Sequence, residues 1–424
     1  IINCHLATGR IGQPGMGPFS FTGQPNAMGG REVGGLSNQL AAHMEITNPE
    51  HHDRVARFWK ADNLATENGA KAIDMFEQIA SGKIKAIWIM ATNPVVSLPD
   101  ADKVKDALKK CELVVVSECE ENTDTTALAE ILLPAAAWGE KDGMVTNSER
   151  RISRQRSFLP LPGEAKPDWW IITQVARKMG FETAFPFEKS ADVFREHAQL
   201  SAFENNGERD FNIAGLADIS DEGYDNLIPI QWPVINKADK GTARLFSDKQ
   251  FFTPSGKARM ISVEPKLPYH QVSDEYPLVL NTGRIRDQWH TMTRTGRAVR
   301  LNAHIPEPMV QVHPLDAANF HLVDGSLAEI KSRWGEMIVR VVVTDEQRPG
   351  SIFVPIHWSD QYASMARVDA LVAAVYDPIS GQPESKHTPV SIRAYKPVWH
   401  GFILSRHPIT VKDANYWVKV RGAE

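Results

Sequence analysis

Residues 282–291 form a segment rich in hydrogen-bond donors, with the sequence TGRIRDQWHT. The segment comes directly after the strand-like run 276–281, YPLVLN, and starts at a glycine turn. It offers guanidinium groups, an indole N–H, an imidazole and hydroxyl groups. Arginine side chains and exposed backbone N–H groups both fit phosphate oxygens. This donor segment therefore predicts a site for an anionic, phosphate-bearing ligand, and the alternative is a solvated loop.

A glycine-rich run, residues 8–35, carries an arginine near its end and reads TGRIGQPGMGPFSFTGQPNAMGGREVGG. Glycine at this density lets the backbone approach a ligand closely, or it marks a flexible linker. A linker would rarely hold large apolar residues, and this run contains Phe19, Phe21 and Met28. We therefore expect an ordered loop that faces a ligand. Arg31 is its candidate anion-binding residue, unless it pairs with Glu32 or another local carboxylate.

Polar side chains follow the ends of buried strands in the region that supports these loops. Apolar strands alternate with helices here, and the predicted strands are Lys85–Met90, Glu112–Ser117 and Ile131–Pro134. Such alternation predicts a parallel sheet covered on both faces. Ligands of these sheets bind beyond the carboxyl ends of the strands. Asn93, Ser117 and Glu118 fall at those ends, which predicts a nucleotide-sized ligand.

Two more charged residues are candidates for the same ligand. Lys141 lies in the sequence EKDG, residues 140–143, where the alternative is a solvated turn. Asp168 precedes the apolar-periodic run Trp169–Met179, which Gly180 closes. This placement predicts that Asp168 is the N-cap of a helix.

The region 276–395 changes to short strands separated by turns, which is typical of a closed barrel. The predicted fold class is α/β with a C-terminal all-β barrel, and the α/β part is a Rossmann-like parallel sheet domain. The predicted domains are a glycine-rich active-site loop with the end of an upstream α/β domain (1–61), a Rossmann-like nucleotide-binding domain (62–190), an irregular connection (191–274), the barrel (275–395) and a C-terminal extension (396–424).

Composition argues against several classes of protein. The net charge is −5 without a basic block, so nucleic-acid binding has no electrostatic support. We find no apolar run of about 18 residues that would predict a membrane span. Cys4, Cys111 and Cys119 form no CxxC pair, so no metal ligands are predicted in this chain, and low cysteine usage suits the cytoplasm. Neither end reads as a natural terminus, so we expect part of a longer protein.

The order of these motifs resembles that of the molybdopterin oxidoreductases, and among them the assimilatory nitrate reductases. The likeness covers residues 1 to about 395 and rests on TGQPNAMGGREVGG, IMATNP, LLPAAAWGEKDGMVTNSERR, LNTGRIRDQWHTMTR and DPISGQPESKHTPV. It implies that the barrel is a double-psi β-barrel that binds bis-molybdopterin guanine dinucleotide with molybdenum. It also implies a 4Fe–4S cluster and a molybdenum ligand in sequence upstream of Ile1.

The resemblance implies roles for the residues that match the family's motifs. Contacts to the guanine nucleotides are implied for Asn93, Ser117, Glu118, Lys141 and Asp168. Contacts to pterin and phosphate are implied for the whole donor segment: Thr282, Gly283, Arg284, Ile285, Arg286, Asp287, Gln288, Trp289, His290 and Thr291. Lys386 of QPESK would be a further cofactor contact. Asp369 stands where an Asn is expected to contact the pterin, and a carboxylate can donate a hydrogen bond only when protonated.

The implied activity is the reduction of nitrate to nitrite by oxygen-atom transfer. A planar monoanion needs a fixed cation, and Arg suits planar oxyanions better than Lys does, which makes Arg31 the candidate catalytic residue. His357 and Trp358 are expected either to line the substrate path or to pack in the core. Electrons would come from a donor protein or an NADH-linked reductase subunit.

Three other functions remain open. The first is another activity of the same family, formate oxidation or periplasmic nitrate reduction. The second is a non-catalytic electron-transfer subunit, like the large iron–sulfur subunit of respiratory NADH dehydrogenases, which has this fold without molybdopterin. Retention of TGRIRDQWHT, EKDG and QPESK argues against that role. The third is a bare nucleotide-binding module.

Overall fold

The computed structural model describes residues 1–20, 24–407, 409–412 and 414–420, which form two compact units. Unit 1 comprises residues 1–70 and 135–265, and unit 2 comprises residues 71–134 and 266 onwards. The predicted domains assume continuous segments, whereas both units are discontinuous, and the predicted segment 62–190 contributes to each of them. Residues 21–23, with Phe21 of the glycine-rich loop, and parts of the predicted extension 396–424 lie outside the described residues.

Short helices and strands alternate along the described chain. The helices are α1 (Ile2–Ala7), α2 (Ala27–Glu32), α3 (Pro49–Trp59), α4 (Ala72–Ala80), α5 (Pro94–Ser97), α6 (Ala101–Lys110), α7 (Asp168–Lys178), α8 (Ser190–Ala202), α9 (Asp221–Asp225), α10 (Val299–Asn302) and α11 (Pro314–Asn319). The strands are β1 (Gln39–Leu40), β2 (Met44–Glu45), β3 (Ala86–Met90), β4 (Leu113–Glu118), β5 (Ile131–Pro134), β6 (Gly143–Thr146), β7 (Arg151–Gln155), β8 (Ile230–Gln231), β9 (Leu278–Gly283), β10 (Met309–Val312), β11 (Leu327–Lys331), β12 (Glu336–Val343), β13 (Ser351–Pro355) and β14 (Thr388–Tyr395).

Unit 2 contains the predicted parallel sheet, in the order β3-β4-β5. Its helix α6 is amphipathic, because Val104, Ala107 and Leu108 recur at helical spacing and are buried against the sheet. The helix that this alternation predicts between β4 and β5 is instead one 3₁₀ turn, Thr126–Leu128. The hydroxyl of Thr126 accepts from the Thr123 N–H at 2.6 Å, and such local bonds compete with helix formation.

The C-terminal part of unit 2 is a closed barrel, in the strand order β10-β12-β11-β14-β9-β13. β10 runs parallel to β12 and β13 runs parallel to β9, while the other neighbours are antiparallel. Alternate residues point inwards and form the core, among them the fully buried Leu280, Val310, Ile330, Val341 and Ile352. The predicted fold class, α/β with a C-terminal barrel, is confirmed.

Unit 1 packs α3 and α8 on the antiparallel sheet β6-β7-β8. Its core includes Met44, Phe211 and Trp232, which are at most 2 % exposed. Residues 251–256 form a turn, in which the Phe251 N–H donates to the Gly256 carbonyl at 3.0 Å. In the described ranges, no helix has the length and hydropathy needed to cross a membrane.

Candidate functional site

The donor segment begins at the carboxyl end of β9 in the barrel. Its glycine, Gly283, pairs with Pro355 of the neighbouring strand β13. A Cβ atom on Gly283 would lie 2.6 Å from the ring of Phe353, also on β13. Any side chain would therefore have to displace that ring, which explains the glycine at the start of the segment.

The exposed side chains of the donor segment are cationic or aromatic. Arg284, Arg286 and Trp289 are all exposed, and the Arg284 guanidinium carbon lies 5.0 Å from the centre of the Trp289 ring. Arg286 donates to the Asp287 carboxylate at 2.9 Å, so its charge is matched locally. Within the part of the chain that the structure describes, Arg284 has no carboxylate partner. Arg284 is therefore available to bind an anion.

The buried side chain of Gln288 stabilises the donor segment through hydrogen bonds. Its side chain is 4 % exposed; the amide nitrogen donates to Asn302 at 2.7 Å, and the amide oxygen accepts from the Thr295 hydroxyl at 2.6 Å. The same hydroxyl accepts from the Trp289 N–H at 3.1 Å. Because both ends of its buried amide are hydrogen-bonded, Gln288 fixes the path of the chain.

His357 holds the segment at two points. Its Nδ1 lies 2.7 Å from the His290 carbonyl oxygen, and its Nε2 accepts from the Ile285 N–H at 3.0 Å. The carbonyl can only accept, so Nδ1 carries the proton and the ring is neutral. Burial lowers the pKa of His357, which favours this state. His357 and Trp358 are 0 % and 1 % exposed, a placement that favours packing over lining a substrate path. Sequence reasoning missed the support that His357 gives.

Lys386 and Thr282 bring the last motif to the start of the donor segment. The Lys386 ammonium donates to the Thr282 carbonyl, and the Thr282 hydroxyl donates to the Ser385 carbonyl at 2.9 Å. Burial lowers the pKa of Lys386, an effect that the charge of Asp369 opposes. The structure thus brings Lys386 into contact with Thr282, and the charge of Asp369 acts on Lys386 in the same unit. The resemblance had assigned all three residues to one cofactor.

Asp369 is buried in the barrel unit, with 7 % of its surface exposed. Burial raises its pKa to about 7, although the charge of Lys386 acts in the opposite direction. Near neutral pH a large fraction of Asp369 therefore carries a proton. The neutral acid can donate a hydrogen bond, as the Asn expected at this position would. The departure from the family's pattern is thus compatible with a donor role.

Asp369→Asn is expected to change how stability depends on pH. The pKa of Asp369 is about 7 in the folded protein and near 4 for an ordinary Asp, so between these values the folded form holds a proton that the unfolded form lacks. Raising the pH through this window of about three units therefore removes stability from the wild type, about 4 kcal/mol in all. Thermal unfolding from pH 5 to 8 should show the wild type losing stability relative to Asp369→Asn. The control Asp345→Asn, at an exposed position, should show the same pH dependence as the wild type. The same pH dependence of stability in Asp369→Asn and the wild type would contradict the expectation.

Asn93 connects the end of β3 to the donor segment within unit 2. Its amide nitrogen donates to the Thr291 hydroxyl at 3.2 Å, and its amide oxygen accepts from the Thr125 hydroxyl at 2.7 Å. All three side chains are at least nine-tenths buried. The strand-end residue and the donor segment, predicted separately, are therefore neighbours.

The next strand end carries Ser117 and Glu118. The Ser117 hydroxyl accepts from the Trp88 indole N–H at 2.8 Å, and Glu118 accepts from the Cys119 N–H at 2.8 Å. Burial, with Glu118 adding to it, raises the pKa of the Cys119 thiol to about 11, so Cys119 stays protonated. Arg294 donates to the Cys119 sulfur at 3.0 Å. Arg294 therefore places a positive charge close to Glu118. Arg294 is the last residue of the motif LNTGRIRDQWHTMTR, but sequence reasoning did not select it as a site residue.

In unit 1, Lys141 and Asp168 form an ion pair, with Nζ 2.5 Å from the carboxylate and both side chains partly exposed. The predicted cap at Asp168 is wrong. The helix starts at Asp168 itself, and Pro167 is the residue before it. Proline at that position has no side-chain acceptor, and the Asp168 carboxylate is turned to Lys141 instead. The two predicted nucleotide contacts are therefore adjacent.

Arg31 is exposed on the short helix α2. The neighbouring Glu32 is 4 % exposed and accepts from Thr146 and Trp232. The alternative in which Arg31 pairs with Glu32 is thus not observed. Among residues for which coordinates are described, Arg31 has no ion-pair or side-chain hydrogen-bond partner. Its guanidinium is free to bind an oxyanion.

Comparison with known proteins places the chain in a family. Residues 1–178 match the molybdopterin oxidoreductase family and residues 278–389 match the molybdopterin dinucleotide-binding domain. A nitrate reductase of Klebsiella oxytoca is 52 % identical over 98 % of this chain and 48 % of its own length. The assimilatory nitrate reductase catalytic subunit of Bacillus subtilis is 34 % identical over 92 % of this chain and 54 % of its own length.

More distant relatives have other functions. The F420-dependent formate dehydrogenase subunit alpha of Methanocaldococcus jannaschii is 33 % identical over 92 % of this chain and 54 % of its own length. Acetylene hydratase from Pelobacter acetylenicus shares the fold, with a TM-score of 0.58 and 19 % identity over 75 % of this chain and 46 % of its own. The chain spans about half the length of the curated relatives it matches. Its two matched regions, together with these relatives, show that the chain belongs to the molybdopterin oxidoreductase family.

Proposed function

We propose that this chain is part of a molybdenum enzyme that reduces nitrate to nitrite, and that it binds bis-molybdopterin guanine dinucleotide. The observation that carries the proposal is the donor segment, which the barrel holds with Arg284 exposed and, among the described residues, without a carboxylate partner. Relatives named nitrate reductases match nearly the whole chain, the first of them at 52 % identity. The 4Fe–4S cluster, a donor protein or NADH-linked subunit as electron source, and cytoplasmic location are proposed on the same resemblance.

The chemistry of the donor segment fits this cofactor. The pyrophosphate groups of the cofactor are anionic and call for nearby cations. Burial lowers the pKa of His290, and the charges of Arg284 and Arg294 act in the same direction, so both cations lie near the segment. In unit 2 we assign binding to Arg284, Trp289, Arg294 and Lys386, with Asp369 as a donor to the pterin. Asn93, Ser117 and Glu118 keep their proposed nucleotide role at the strand ends, as do Lys141 and Asp168 in unit 1. When bound, the cofactor supplies the two-electron chemistry of oxygen-atom transfer.

Arg31 would bind nitrate. Nitrate is a planar monoanion, and the guanidinium group presents two parallel N–H donors in the same plane. An unpaired Arg can hold the anion through two oxygens and leave the third oxygen free to react. The charge of Arg31 also offsets the negative charge of the substrate as it leaves water.

The test is to purify the full-length protein without oxygen and to measure its molybdenum, guanine nucleotide and nitrate-dependent nitrite formation. We expect one molybdenum and two guanine nucleotides per chain, and Arg284→Met should lower both contents while the exposed control Arg333→Met retains them. An active preparation that lacks molybdenum would overturn the assignment. Formate oxidation without nitrate reduction would favour the second candidate, which the relatives named formate dehydrogenases suggest.

A further inference from the structure

We propose that Asn26, Glu32, Thr146 and Trp232 form a polar clamp that holds helix α2 and thereby orients Arg31. In this proposal Glu32 is a positioning residue for oxyanion binding, and the inference rests on the proposed function of Arg31. All four residues belong to unit 1. They are distinct from the residues assigned above to the cofactor.

Both ends of α2 are attached to one residue of β6. The Thr146 N–H donates to the Asn26 side-chain oxygen at 2.9 Å, and the Thr146 hydroxyl donates to the Glu32 carboxylate at 2.8 Å. Asn26 is the residue immediately before the helix and Glu32 is its last residue. A helix of six residues is not stable alone, so these anchors determine where it lies.

The second carboxylate oxygen of Glu32 completes the clamp. It accepts from the Trp232 indole N–H at 2.6 Å, and the Glu32 carbonyl accepts from the Ala42 N–H at 2.7 Å. The side chains of Glu32, Thr146 and Trp232 are at most 4 % exposed. A buried carboxylate is costly unless its hydrogen bonds are made, so the geometry of this clamp is closely specified.

Gly29, two residues before Arg31 in the helix, leaves space for the Asn26 side chain. A Cβ atom on Gly29 would lie 2.1 Å from the Asn26 side-chain oxygen, the atom that accepts from Thr146. Asn26 itself has a positive φ of 59°. In the sequence Asn-Ala-Met-Gly-Gly-Arg-Glu, the first residue, Asn26, and the last residue, Glu32, are thus the two anchors. Arg31 lies directly before Glu32.

The clamp has a consequence for binding because neighbouring helical side chains point in different directions. Glu32 is buried while Arg31 is exposed, so fixing Glu32 fixes the direction in which the Arg31 side chain leaves the helix. A planar guanidinium binds an oxyanion through two parallel bonds only when it is correctly oriented. Loosening the helix should therefore weaken nitrate binding before it affects folding.

The test removes one clamp bond at a time in the full-length enzyme. Trp232→Phe deletes the indole N–H, and Thr146→Val deletes the hydroxyl while keeping its shape. We expect each to raise the KM for nitrate roughly tenfold with molybdenum content unchanged. The matched control is Trp59→Phe, since Trp59 packs on the same core and its indole binds another carboxylate, Glu196. Trp59→Phe should leave the KM unchanged.

Repeating the clamp substitution in an Arg31→Lys enzyme shows whether the clamp acts through Arg31. Lys is a flexible point charge that needs less orientation, so in an Arg31→Lys enzyme the effect of Trp232→Phe on KM should fall below about twofold. The inference would be overturned if Trp232→Phe raised the KM by the same factor in the wild type and in Arg31→Lys. It would also be overturned if Trp232→Phe and Thr146→Val both folded and had the wild-type KM. Should Trp232→Phe not fold, Thr146→Val gives the same comparison. If Arg31→Ala leaves nitrate reduction unchanged, the role proposed for Arg31 in binding nitrate fails instead.

Discussion

Arg31→Ala is expected to abolish nitrate reduction while leaving the molybdenum and guanine nucleotide content of the protein unchanged. The exposed Arg31 side chain has no partner among the described residues, so its removal leaves no buried group unsatisfied. Loss of a charged donor that stabilises a reacting oxyanion typically lowers turnover about 100- to 1,000-fold. The large effect on turnover should therefore come without an effect on folding.

The measurement is nitrite formation at saturating and at low nitrate, together with metal and nucleotide analysis of the same samples. Arg244→Ala is the matched control, because Arg244 is also an exposed arginine of unit 1 and is not part of α2. It should retain wild-type turnover. Wild-type turnover in Arg31→Ala would show that another residue binds the substrate.

His357→Phe is expected to lower both the stability of the protein and its cofactor content. The substitution preserves a buried ring but removes both nitrogens that hold the donor segment, leaving the Ile285 N–H and the His290 carbonyl without partners. Each buried polar group left unsatisfied costs about 1–3 kcal/mol. The donor segment would then either move or remain strained, and in both cases it should bind the cofactor less well.

Chemical unfolding of the purified protein, with molybdenum and guanine nucleotide analysis, checks this expectation. The same substitution at His400, an exposed histidine in unit 2, serves as the control and should leave both properties unchanged. Full cofactor content in a destabilised His357→Phe protein would show that His357 supports the fold alone.

The sequence allowed the main architecture to be predicted because its signals are local. Apolar strands alternating with helices predicted the parallel sheet β3-β4-β5, and short strands with turns between them predicted the barrel. Local signals failed where side chains compete with the backbone. The threonine hydroxyls at 123 and 126 replace a helix by one turn, and Asp168 pairs with Lys141 rather than capping its helix.

Individual residues of the candidate site could be predicted from the sequence, but the contacts between them could not. The donor segment and Asn93 were recognisable from their residue types, yet their contact joins positions 93 and 291. The contacts of His357 with residues 285 and 290, and of Glu32 with Trp232, also join residues far apart in the sequence. Neither hydrophobic periodicity nor turn chemistry reports such pairings, since both describe neighbours along the chain.

Because the clamp holds α2 through Asn26 and Glu32, the exposed side chain at position 31 contributes little to holding the helix. Exchange of an exposed residue there has little effect on folding, so selection can change it in a single step. In the proposed enzyme, the residues that hold the helix are therefore different from the residue that binds the anion. A lineage could alter the anion it processes by mutation at one codon and keep the machinery that holds the helix.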